Sequence, residues 1–322
     1  MKLTQNLTIL ITGGTGSFGV AFLEKLLSLK IKEIRIFSRD EKKQSDLKLL
    51  YPHSLIKWFI GDVRDRDSLM DALNGVDIVF HAAALKQVPT LENFPLEATK
   101  TNVIGTDNVL SVAIQQGVKH IVVLSTDKSV HPVSAMGLTK SLMEKTVLAK
   151  ARLYKSPIIN IVRYGNVLAS RGSVIPLFID SIRKNLPITL HNPESTRFLI
   201  TIQEAIDLVL LAIESGKQGE IFVPKIQSAS LSMIVKSLEN LLNKTAKLKL
   251  SSLRQGDKLH EQLIDEDEYA YTTLEKGVYI IDGFKTHSNS LHAIKPFYSN
   301  HVLMSQTSLN QILEKIIKTY QG

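Results

Sequence analysis

The stretch Ile9-Leu-Ile-Thr-Gly-Gly-Thr-Gly-Ser-Phe-Gly19 places a run of glycines directly between an apolar segment and an amphipathic one. The apolar segment predicts a strand, and apolar residues at helical spacing from Phe18 to Leu27 predict a helix. A glycine-rich turn there lets a pyrophosphate approach backbone N–H groups at the helix N-terminus. The alternative is a glycine-rich turn without a ligand. We predict a dinucleotide-binding loop, with cofactor contacts at Gly13, Thr15, Gly16, Ser17, Phe18 and Gly19.

Short apolar runs alternate with amphipathic stretches through the first half of the chain. Six runs are predicted as strands, over residues 7–12, 33–38, 56–61, 77–81, 120–125 and 157–163. Strands that alternate with helices indicate the α/β class and a Rossmann-type, doubly wound parallel sheet. In such a sheet the ligand binds at the carboxyl ends of the strands.

The pattern becomes less regular after residue 165, where Gly and Pro recur more often. A helix near 201–214, strands at 220–223 and 246–251, and a terminal helix over 307–319 are predicted there. We therefore expect a dinucleotide-binding domain over residues 1–165, to which the chain returns around 199–226. A smaller C-terminal domain, mainly 166–322, is expected to bind the substrate.

The end of the second predicted strand indicates which dinucleotide binds. NAD enzymes usually present a carboxylate to the ribose about 20 residues beyond the glycine loop, but this sequence reads Ser38-Arg39. A hydroxyl and a guanidinium suit the 2′-phosphate of NADP, with Lys42 as a further cation. The alternative is that Asp40 binds the ribose of NAD while Arg39 is solvated. Beyond the third strand, the residues predicted to border the adenine are Asp62 and Val63.

Composition narrows the range of functions. The formal net charge is +8, from 39 Lys and Arg against 31 Asp and Glu, without a long basic run, so a phosphate-bearing small molecule is favoured over nucleic acid. Cysteine is absent, and the nine histidines lack metal-ligand spacing, so no metal site is expected. Neither a signal peptide nor an apolar run long enough for a membrane span is recognisable. We expect a cytoplasmic protein that is not inserted into a membrane.

A second set of residues is predicted to carry out the chemical reaction. The fifth predicted strand ends in Leu124-Ser-Thr-Asp-Lys128, and Met136-Gly-Leu-Thr-Lys140 follows at the start of a predicted helix. Both segments resemble the extended short-chain dehydrogenase/reductases, in which a Ser or Thr and a Tyr-x-x-x-Lys pair carry out the redox step. The resemblance implies that Lys140 holds the nicotinamide ribose. Met136 stands where the tyrosine of that family belongs.

Further strings resemble a narrower group, the inverting UDP-N-acetylglucosamine 4,6-dehydratases and the related dehydratase/5-epimerases of capsule and O-antigen synthesis. The resemblance covers nearly the whole chain, and methionine in place of the tyrosine is similar to the dehydratase/5-epimerase branch. It also implies cofactor contacts at Ala82 and Ala83 and a homo-oligomer. The matching strings are Gly61-Asp-Val-Arg-Asp65, His81-Ala-Ala-Ala-Leu-Lys-Gln-Val-Pro89, Arg163-Tyr-Gly-Asn-Val-Leu168, Ser170-Arg-Gly-Ser-Val-Ile-Pro176, Thr196-Arg-Phe198 and Arg254-Gln-Gly-Asp-Lys-Leu-His-Glu261.

The implied reaction assigns roles to these residues. Transient oxidation at C4 acidifies the C5 proton; a base then removes that proton while an acid helps the C6 hydroxyl to leave, and the hydride returns to C6. We expect protonated Asp127 as the acid and neutral Lys128 as the base, with the pKa of Lys128 lowered by burial and by nearby positive charge. Met136 has no dissociable proton, so Thr126, Lys128 or a water near Lys140 is left to accept the proton of the C4 hydroxyl.

The substrate side is expected to carry charged and amide contacts. Arginines suit a diphosphate because their planar donor fork engages two oxygens. Each of these residues has the alternative of a solvated, paired or turn-forming role. The predicted contacts to UDP-N-acetylglucosamine, or to a close UDP-sugar, are Lys86, Asn166, Arg171, Arg197, Arg254 and Glu261.

Two other functions compete with this one. A UDP-sugar 4-epimerase uses the same cofactor loop and transient ketone, but such enzymes keep the tyrosine and lack an Asp-Lys pair. A non-catalytic NADP-binding regulatory module would explain the missing tyrosine, whereas Asp127, Lys128 and Lys140 argue against it.

Overall fold

A computed structural model describes residues 6–168, 170, 172–285 and 295–320. The strands are β1 Thr8–Thr12, β2 Glu33–Ser38, β3 Ile56–Ile60, β4 Ile78–His81, β5 His120–Thr126, β6 Ile158–Tyr164, β7 Asn166–Val167, β8 Pro187–Leu190, β9 Thr196–Ile200, β10 Glu220–Pro224, β11 Ser228–Ser230, β12 Lys247–Leu250, β13 Gln262–Ile264, β14 Thr272–Glu275, β15 Val278–Asp282 and β16 Phe297–Tyr298. The α-helices are α1 Ser17–Leu27, α2 Glu41–Leu50, α3 Asp67–Leu73, α4 Val88–Asn93, α5 Pro95–Ala98, α6 Gly105–Gln115, α7 Ala135–Leu153, α8 Val174–Arg183, α9 Ile202–Ser215, α10 Leu231–Leu242 and α11 Gln306–Thr319.

A nine-stranded sheet forms the centre of the fold, in the order β14-β15-β10-β6-β5-β4-β1-β2-β3. From β10 to β3 every neighbouring pair is parallel. The order reverses between β1 and β4, so the crevice for a ligand lies at the carboxyl ends of these two strands. The predicted Rossmann-type α/β fold is confirmed.

Both faces of the sheet are covered by helices, as a parallel sheet requires. All five residues of β1 are buried, and the apolar stripes of α1 and α9 pack on one face with Phe22, Leu23 and Ile206. The stripes of α3, α6 and α7 pack on the other face. Burial on both sides explains why these strands read as near-continuous apolar runs in the sequence.

A smaller apolar cluster organises the C-terminal part. It joins α8, α10 and α11 to the parallel pair β8–β12, with Phe178, Leu190, Leu238 and Leu313 in its interior. The strands β11, β9 and β7 form a separate three-stranded sheet next to the main one. At the far edge of the main sheet, β15 and β14 add antiparallel strands, which the sequence pattern does not predict.

Helix α6 begins with an irregular turn. A π-helical turn, Thr99–Ile104, precedes α6. Its Asn102 is fully buried; the side chain accepts a hydrogen bond from Leu85 N at 2.8 Å and donates to Leu85 O at 3.0 Å. The π turn therefore holds the loop after β4 in place, which fits the tendency of such turns to occur at functional sites.

Candidate active site

A cleft of about 880 Å³ opens at the carboxyl ends of the parallel strands. One wall contains the glycine loop and the residues that follow β2, β3 and β4. The floor contains the residues that end β5 and β6, and the opposite wall comes from the C-terminal part. The cleft therefore brings the two predicted sets of site residues into one space.

The glycine loop has no room for side chains. Gly13 has a φ of +66°, and a Cβ there would lie 2.8 Å from Ala83 Cα. A Cβ on Gly19 would lie 2.5 Å from Gly14 Cα. Helix α1 begins at Ser17 with Gly16 as its N-cap, so its first N–H groups point towards the cleft. The predicted cofactor contacts that line the cleft here are Gly13, Thr15, Gly16, Ser17, Phe18 and Gly19.

Polar side chains lie at the end of β2, where the ribose phosphate was predicted. Thr15 Oγ1 and Ser38 Oγ are 2.8 Å apart, and Arg39 approaches Asp62 Oδ2 at 3.4 Å. The Asp40 carboxylate caps α2 by accepting from Lys43 N at 3.0 Å and also pairs with Lys43 Nζ at 2.5 Å. Asp40 is thus engaged in its own helix.

Lys42 was predicted as a cofactor contact, and the direction in which helix α2 turns its side chain corrects that prediction. Lys42 points to solvent, with 81% of its side chain exposed, and pairs with Asp46 at 2.6 Å. It is absent from the described lining of the cleft, whereas the next residue, Lys43, is present. Lys43 is therefore the cation on the cleft side of this helix.

The residues after β3 and β4 complete the cofactor wall. Asp62, Val63, Ala82 and Ala83 all line the cleft. Burial alone would raise the pKa of Asp62, but hydrogen bonds from Arg64 outweigh it and lower that pKa. This carboxylate is therefore charged and already paired.

His81 is a structural residue at the end of β4. Its ring bonds Thr12 Oγ1 at 2.7 Å and Thr106 Oγ1 at 2.9 Å, which ties β4 to β1 and α6. Burial, aided by the charge of Lys140, lowers the pKa of His81 to about 3. The ring is neutral at physiological pH and is fully occupied by these two bonds.

A tight turn, Asp127–Ser129, follows β5 and carries the predicted acid and base. Thr126 Oγ1 donates to Asp127 Oδ1 at 2.9 Å, and Lys128 Nζ donates to the same oxygen at 3.0 Å. Thr126 and Lys128 line the cleft, while Asp127 is fully buried and its Oδ2 has no partner among the described residues. The acid and base thus form one hydrogen-bonded unit, with Thr126 on the cleft side.

The charge expected for Lys128 is corrected. Burial lowers its pKa, as predicted, but the carboxylates of Asp127 and Glu261 outweigh burial and raise the pKa above its ordinary value. Burial also raises the pKa of Asp127, against the opposing charge of Lys128. In this state Lys128 is therefore the charged ammonium, not the neutral amine that the sequence suggested.

Lys140 and Met136 lie one turn apart on α7, and both line the cleft. Lys140 Nζ donates to Leu124 O at 2.6 Å, and burial lowers its pKa to about 8 against the opposing charge of Glu144. Met136 is 4% exposed and packs against Leu91. The position expected to hold a tyrosine is thus an apolar contact at the edge of the cleft.

A buried ion-pair network lies beneath the turn. Arg163 pairs with Glu144 at 2.6 Å and with Glu268 at 2.7 Å. Glu144 Oε1 also accepts from Ser125 at 2.5 Å and from Ser129 at 2.8 Å. These serines flank Thr126, Asp127 and Lys128, so the network fixes the backbone that presents the acid and base.

The predicted substrate contacts divide into three groups. Lys86, Asn166, Arg197 and Arg254 line the cleft. Arg171 lies outside the described residues. Glu261 is 2% exposed and is not part of the described lining, because it lies behind Lys128 and pairs with it at 3.2 Å. Glu261 was predicted as a substrate contact, and its burial corrects that role.

Several cleft residues escaped the sequence analysis. Five buried side-chain oxygens in the described part of the cleft have no hydrogen-bond partner. An unpaired buried polar group costs about 1–3 kcal/mol, so such a concentration indicates a cleft built for a polar ligand. Only some of these residues could have been identified from the sequence, as polar residues that directly follow a strand. The residues are Thr101, Tyr164, Asn166, Ser173 and Ser195, of which only Asn166 was predicted.

Within the described residues, no helix combines the length and the apolarity needed to cross a bilayer. Among those same residues, no group of three or more His, Asp or Glu side chains is arranged to hold a metal ion.

Known proteins resemble this chain over most of its length. A family model described as "Polysaccharide biosynthesis protein" matches residues 9–282. A protein of Rickettsia typhi named UDP-glucose 4-epimerase is 51% identical over 270 residues, which cover 82% of this chain and 79% of the relative. A Rickettsia bellii protein of the same name is 50% identical over 269 residues, with the same coverage.

Solved structures show the same architecture. The X-ray structure of Pen from Bacillus thuringiensis has a TM-score of 0.92 and 32% identity, and covers 98% of this chain and 99% of that one. The dTDP-glucose 4,6-dehydratase DesIV of Streptomyces venezuelae, solved with NAD and TYD bound, has a TM-score of 0.72 and 23% identity. The match covers 79% of this chain and 87% of that one, and at this identity it shows the fold alone.

Proposed function

This chain belongs to the polysaccharide biosynthesis protein family, and we propose that it is a UDP-N-acetylglucosamine 4,6-dehydratase that uses NADP and inverts C5. The observation that carries the proposal is the Asp127–Lys128 pair, hydrogen-bonded at 3.0 Å in a tight turn at the cleft floor. A 4-epimerase needs no acid and base at C5 and C6, whereas elimination of water needs both.

The cofactor proposal rests on the glycine loop and the end of β2. In this proposal the loop holds the pyrophosphate, Ser38, Arg39 and Lys43 hold the 2′-phosphate, and Lys140 holds the nicotinamide ribose. Bound NADP supplies a hydride acceptor that returns the hydride. The absence of side-chain space at Gly13 and Gly19 fits a close approach of the pyrophosphate to the backbone. Asp40 caps α2 through Lys43 N, which holds its carboxylate away from the ribose hydroxyls and favours NADP over NAD, and Lys43 Nζ would exchange its pair with Asp40 for the 2′-phosphate.

The acid and base start from an ion pair. A charged Asp127–Lys128 pair and a neutral pair hold the same number of protons. One proton that moves from Lys128 to Asp127 across their 3.0 Å hydrogen bond therefore produces a protonated acid and a neutral base. Lys128 then removes the C5 proton, and Asp127, which is buried behind the lining, protonates the departing C6 hydroxyl through Thr126 Oγ1. We assign a water near Lys140, which lines the cleft, as the acceptor of the C4 hydroxyl proton, and water also supplies the proton that C5 regains on the opposite face. Met136 contributes packing only.

The rest of the cleft is assigned to the sugar nucleotide. We propose that Arg197 and Arg254 bind the diphosphate and that Lys86 and Asn166 contact the sugar. Residues 1–165, with the return at 199–226, would then hold mainly NADP, and 166–322 mainly the substrate. We place this enzyme in the cytoplasm, as a homo-oligomer; size-exclusion chromatography with light scattering measures the oligomeric state.

One incubation tests the reaction. The purified protein is held with UDP-N-acetylglucosamine in heavy water without added cofactor, and the product is followed by mass spectrometry and proton NMR. We expect a product that has lost one water and carries a 4-keto group, with deuterium at C5 and inverted configuration there. Asp127→Asn and Lys128→Met should abolish the product, whereas Lys318→Met, which alters an exposed ion pair on α11, should not. Retention at C5 would contradict the inversion.

A second candidate, UDP-sugar 4-epimerase, is favoured by the names of the Rickettsia relatives. The same experiment with UDP-glucose separates the two, because epimerisation leaves the mass unchanged and elimination of water lowers it. Absence of turnover with either substrate would favour a non-catalytic NADP-binding module.

A further inference from the structure

One buried carboxylate behind the cleft contacts three cations. Glu261 is 2% exposed and directly precedes β13. Its Oε1 lies 3.2 Å from Lys128 Nζ and 3.9 Å from Arg197 Nε, and its Oε2 lies 3.0 Å from Lys258 Nζ. A hydrogen bond from its backbone N to Ser299 Oγ at 2.8 Å fixes its position. Glu261 is therefore held close to the base without lining the cleft.

The charged groups that surround Lys128 in this cluster come from three segments of the chain. Asp127 comes from the same turn, Arg197 from β9, and Glu261 and Lys258 from the segment before β13. Without the charge of Lys128, two carboxylates balance two cations. With it, the buried cluster carries one excess positive charge. Arg197 and Lys258 therefore compete with Lys128 for the carboxylate of Glu261.

We infer that Glu261 is a positioning residue that sets the charge of Lys128, and that Lys258 opposes it by drawing on the same carboxylate. The inference rests on the proposed function only for the role of Lys128 as the base. Burial alone would raise the pKa of Glu261, but Lys128, Lys258 and Arg197 outweigh it and lower that pKa to about 2. Glu261 is therefore ionised at every pH at which the protein would act.

The two substitutions are expected to act in opposite directions. Glu261→Gln removes a negative charge 3.2 Å from Lys128 and leaves Arg197 and Lys258 in place. The pKa of Lys128 should fall by about 1–3 units, the usual effect of one close charge. Lys258→Gln frees Glu261 for Lys128, so the pKa of Lys128 should rise. A purely structural role would disturb the turn in both variants without opposite shifts.

The charge of Lys128 can be measured without substrate. Each protein is labelled with acetic anhydride between pH 7 and pH 12, and mass spectrometry gives the extent of labelling at Lys128, which lines the cleft and is 21% exposed. The midpoint should move to lower pH in Glu261→Gln and to higher pH in Lys258→Gln. Glu266→Gln, which alters a 51% exposed carboxylate paired with His131, should leave it unchanged. Glu261→Asp keeps the negative charge, so its labelling midpoint should stay close to that of the parent protein.

The pH dependence of turnover then tests the consequence. The basic limb of log kcat for deuterium incorporation at C5 should move with the labelling midpoint in each variant, because above that midpoint the Asp127–Lys128 pair has lost the one proton that it shares. Unchanged midpoints, or shifts of the same sign in Glu261→Gln and Lys258→Gln, would overturn the inference. If Glu261→Gln fails to fold by circular dichroism, Lys258→Gln alone decides by the sign of its shift. Shifted midpoints in a protein that dehydrates no UDP-sugar would refute the proposed function and leave the inference on Lys128 standing.

Discussion

Replacing Arg163 by Met should remove the centre of the ion-pair network beneath the turn Asp127–Ser129. Arg163 is 2% exposed, and all five of its N–H donors are used. Nε donates to Glu144 at 3.1 Å, and Nη2 donates to Glu144 at 2.6 Å and to Glu268 at 2.9 Å. Nη1 donates to Glu268 at 2.7 Å and to Leu263 O at 2.9 Å. Met fills a similar volume but leaves the buried Glu144 and the partly buried Glu268 without the guanidinium.

The cost follows from that uncompensated charge. Breaking a buried ion pair by removing one partner typically costs about 3–5 kcal/mol, so Arg163→Met should lower the free energy of unfolding by about that much at pH 7. Arg163→Lys keeps the charge but loses the planar fork, so its loss should be smaller. The control Lys318→Met removes an exposed pair with Glu314 and should change the free energy of unfolding by less than about 0.5 kcal/mol.

The cost should also depend on pH. Burial alone would raise the pKa of Glu268, but Arg163 outweighs it and lowers that pKa in the folded protein. A carboxylate with a lowered folded pKa stabilises the fold above its unfolded pKa, and this stabilisation is lost as the pH falls through the folded value. In Arg163→Met, Glu268 loses the cation and keeps the burial, so it takes up a proton more readily. The difference between the two proteins should therefore be largest at neutral pH and already smaller at pH 4, because Glu268 takes up its proton at a higher pH in the variant than in the parent protein.

Urea unfolding measures these free energies. The transition is followed by far-ultraviolet circular dichroism and by the fluorescence of Trp58, the single tryptophan, at pH 7 and at pH 4. A loss below about 1 kcal/mol at pH 7 in Arg163→Met, or an equal loss at both pH values, would refute the assignment of a charge-dependent network.

Three further predictions concern the cleft. Met136→Tyr should raise the rate of ketone formation about tenfold or more in single-turnover assays, because a phenol beside Lys140 supplies a general base that a thioether lacks; equal rates in Met136→Tyr, Met136→Ala and the parent protein would reduce the position to packing. Lys43→Ala should weaken NADP binding about tenfold or more by calorimetry and leave NAD binding unchanged, whereas Lys42→Ala should alter neither; equal losses in both variants would contradict the phase of α2. Lys140→Met should raise the free energy of unfolding at pH 7 by about 1–3 kcal/mol, because the folded pKa of about 8 lies below the unfolded value. That gain should vanish above about pH 10.5, where Lys140 is neutral in both states, and urea unfolding at both pH values checks it.

The parallel core was predictable because its sequence signal is local. The strand predicted over 33–38 is observed as Glu33–Ser38, and the strand predicted over 120–125 is observed as His120–Thr126. Burial on both faces forces continuous apolar runs, and glycine or charged residues end them. The strands β14 and β15 pair antiparallel at the rim; β14 carries no such run and keeps exposed positions such as Leu274 and Glu275, and the apolar run of β15 is buried only at Ile281. Their pairing is decided by tertiary contacts.

The side on which a helix residue points was less predictable than the helix itself. Lys42 and Lys43 are the same residue type at adjacent positions, so the sequence alone does not show which of them faces the cleft. Only the capping of α2 by Asp40, which accepts from Lys43 N, fixes the phase that turns Lys43 to the cleft. A shift of one residue in the start of the helix rotates each side chain by about 100°, which is enough to exchange the two lysines.

The charge of the proposed base shows what a local sequence pattern omits. Thr126, Asp127 and Lys128 are consecutive, so their common turn can be predicted, and burial of Lys128 can be predicted from the strand that precedes it. The second carboxylate that outweighs burial together with Asp127 belongs to Glu261, which reaches Lys128 only because β13 packs beside the turn. Burial and a close carboxylate shift a lysine pKa in opposite directions with similar size, so the balance cannot be read from the Asp-Lys pair alone. If Lys128 acts as the base, the C-terminal part of the chain therefore determines the charge of a catalyst that the parallel sheet presents, and both parts are needed for one proton transfer.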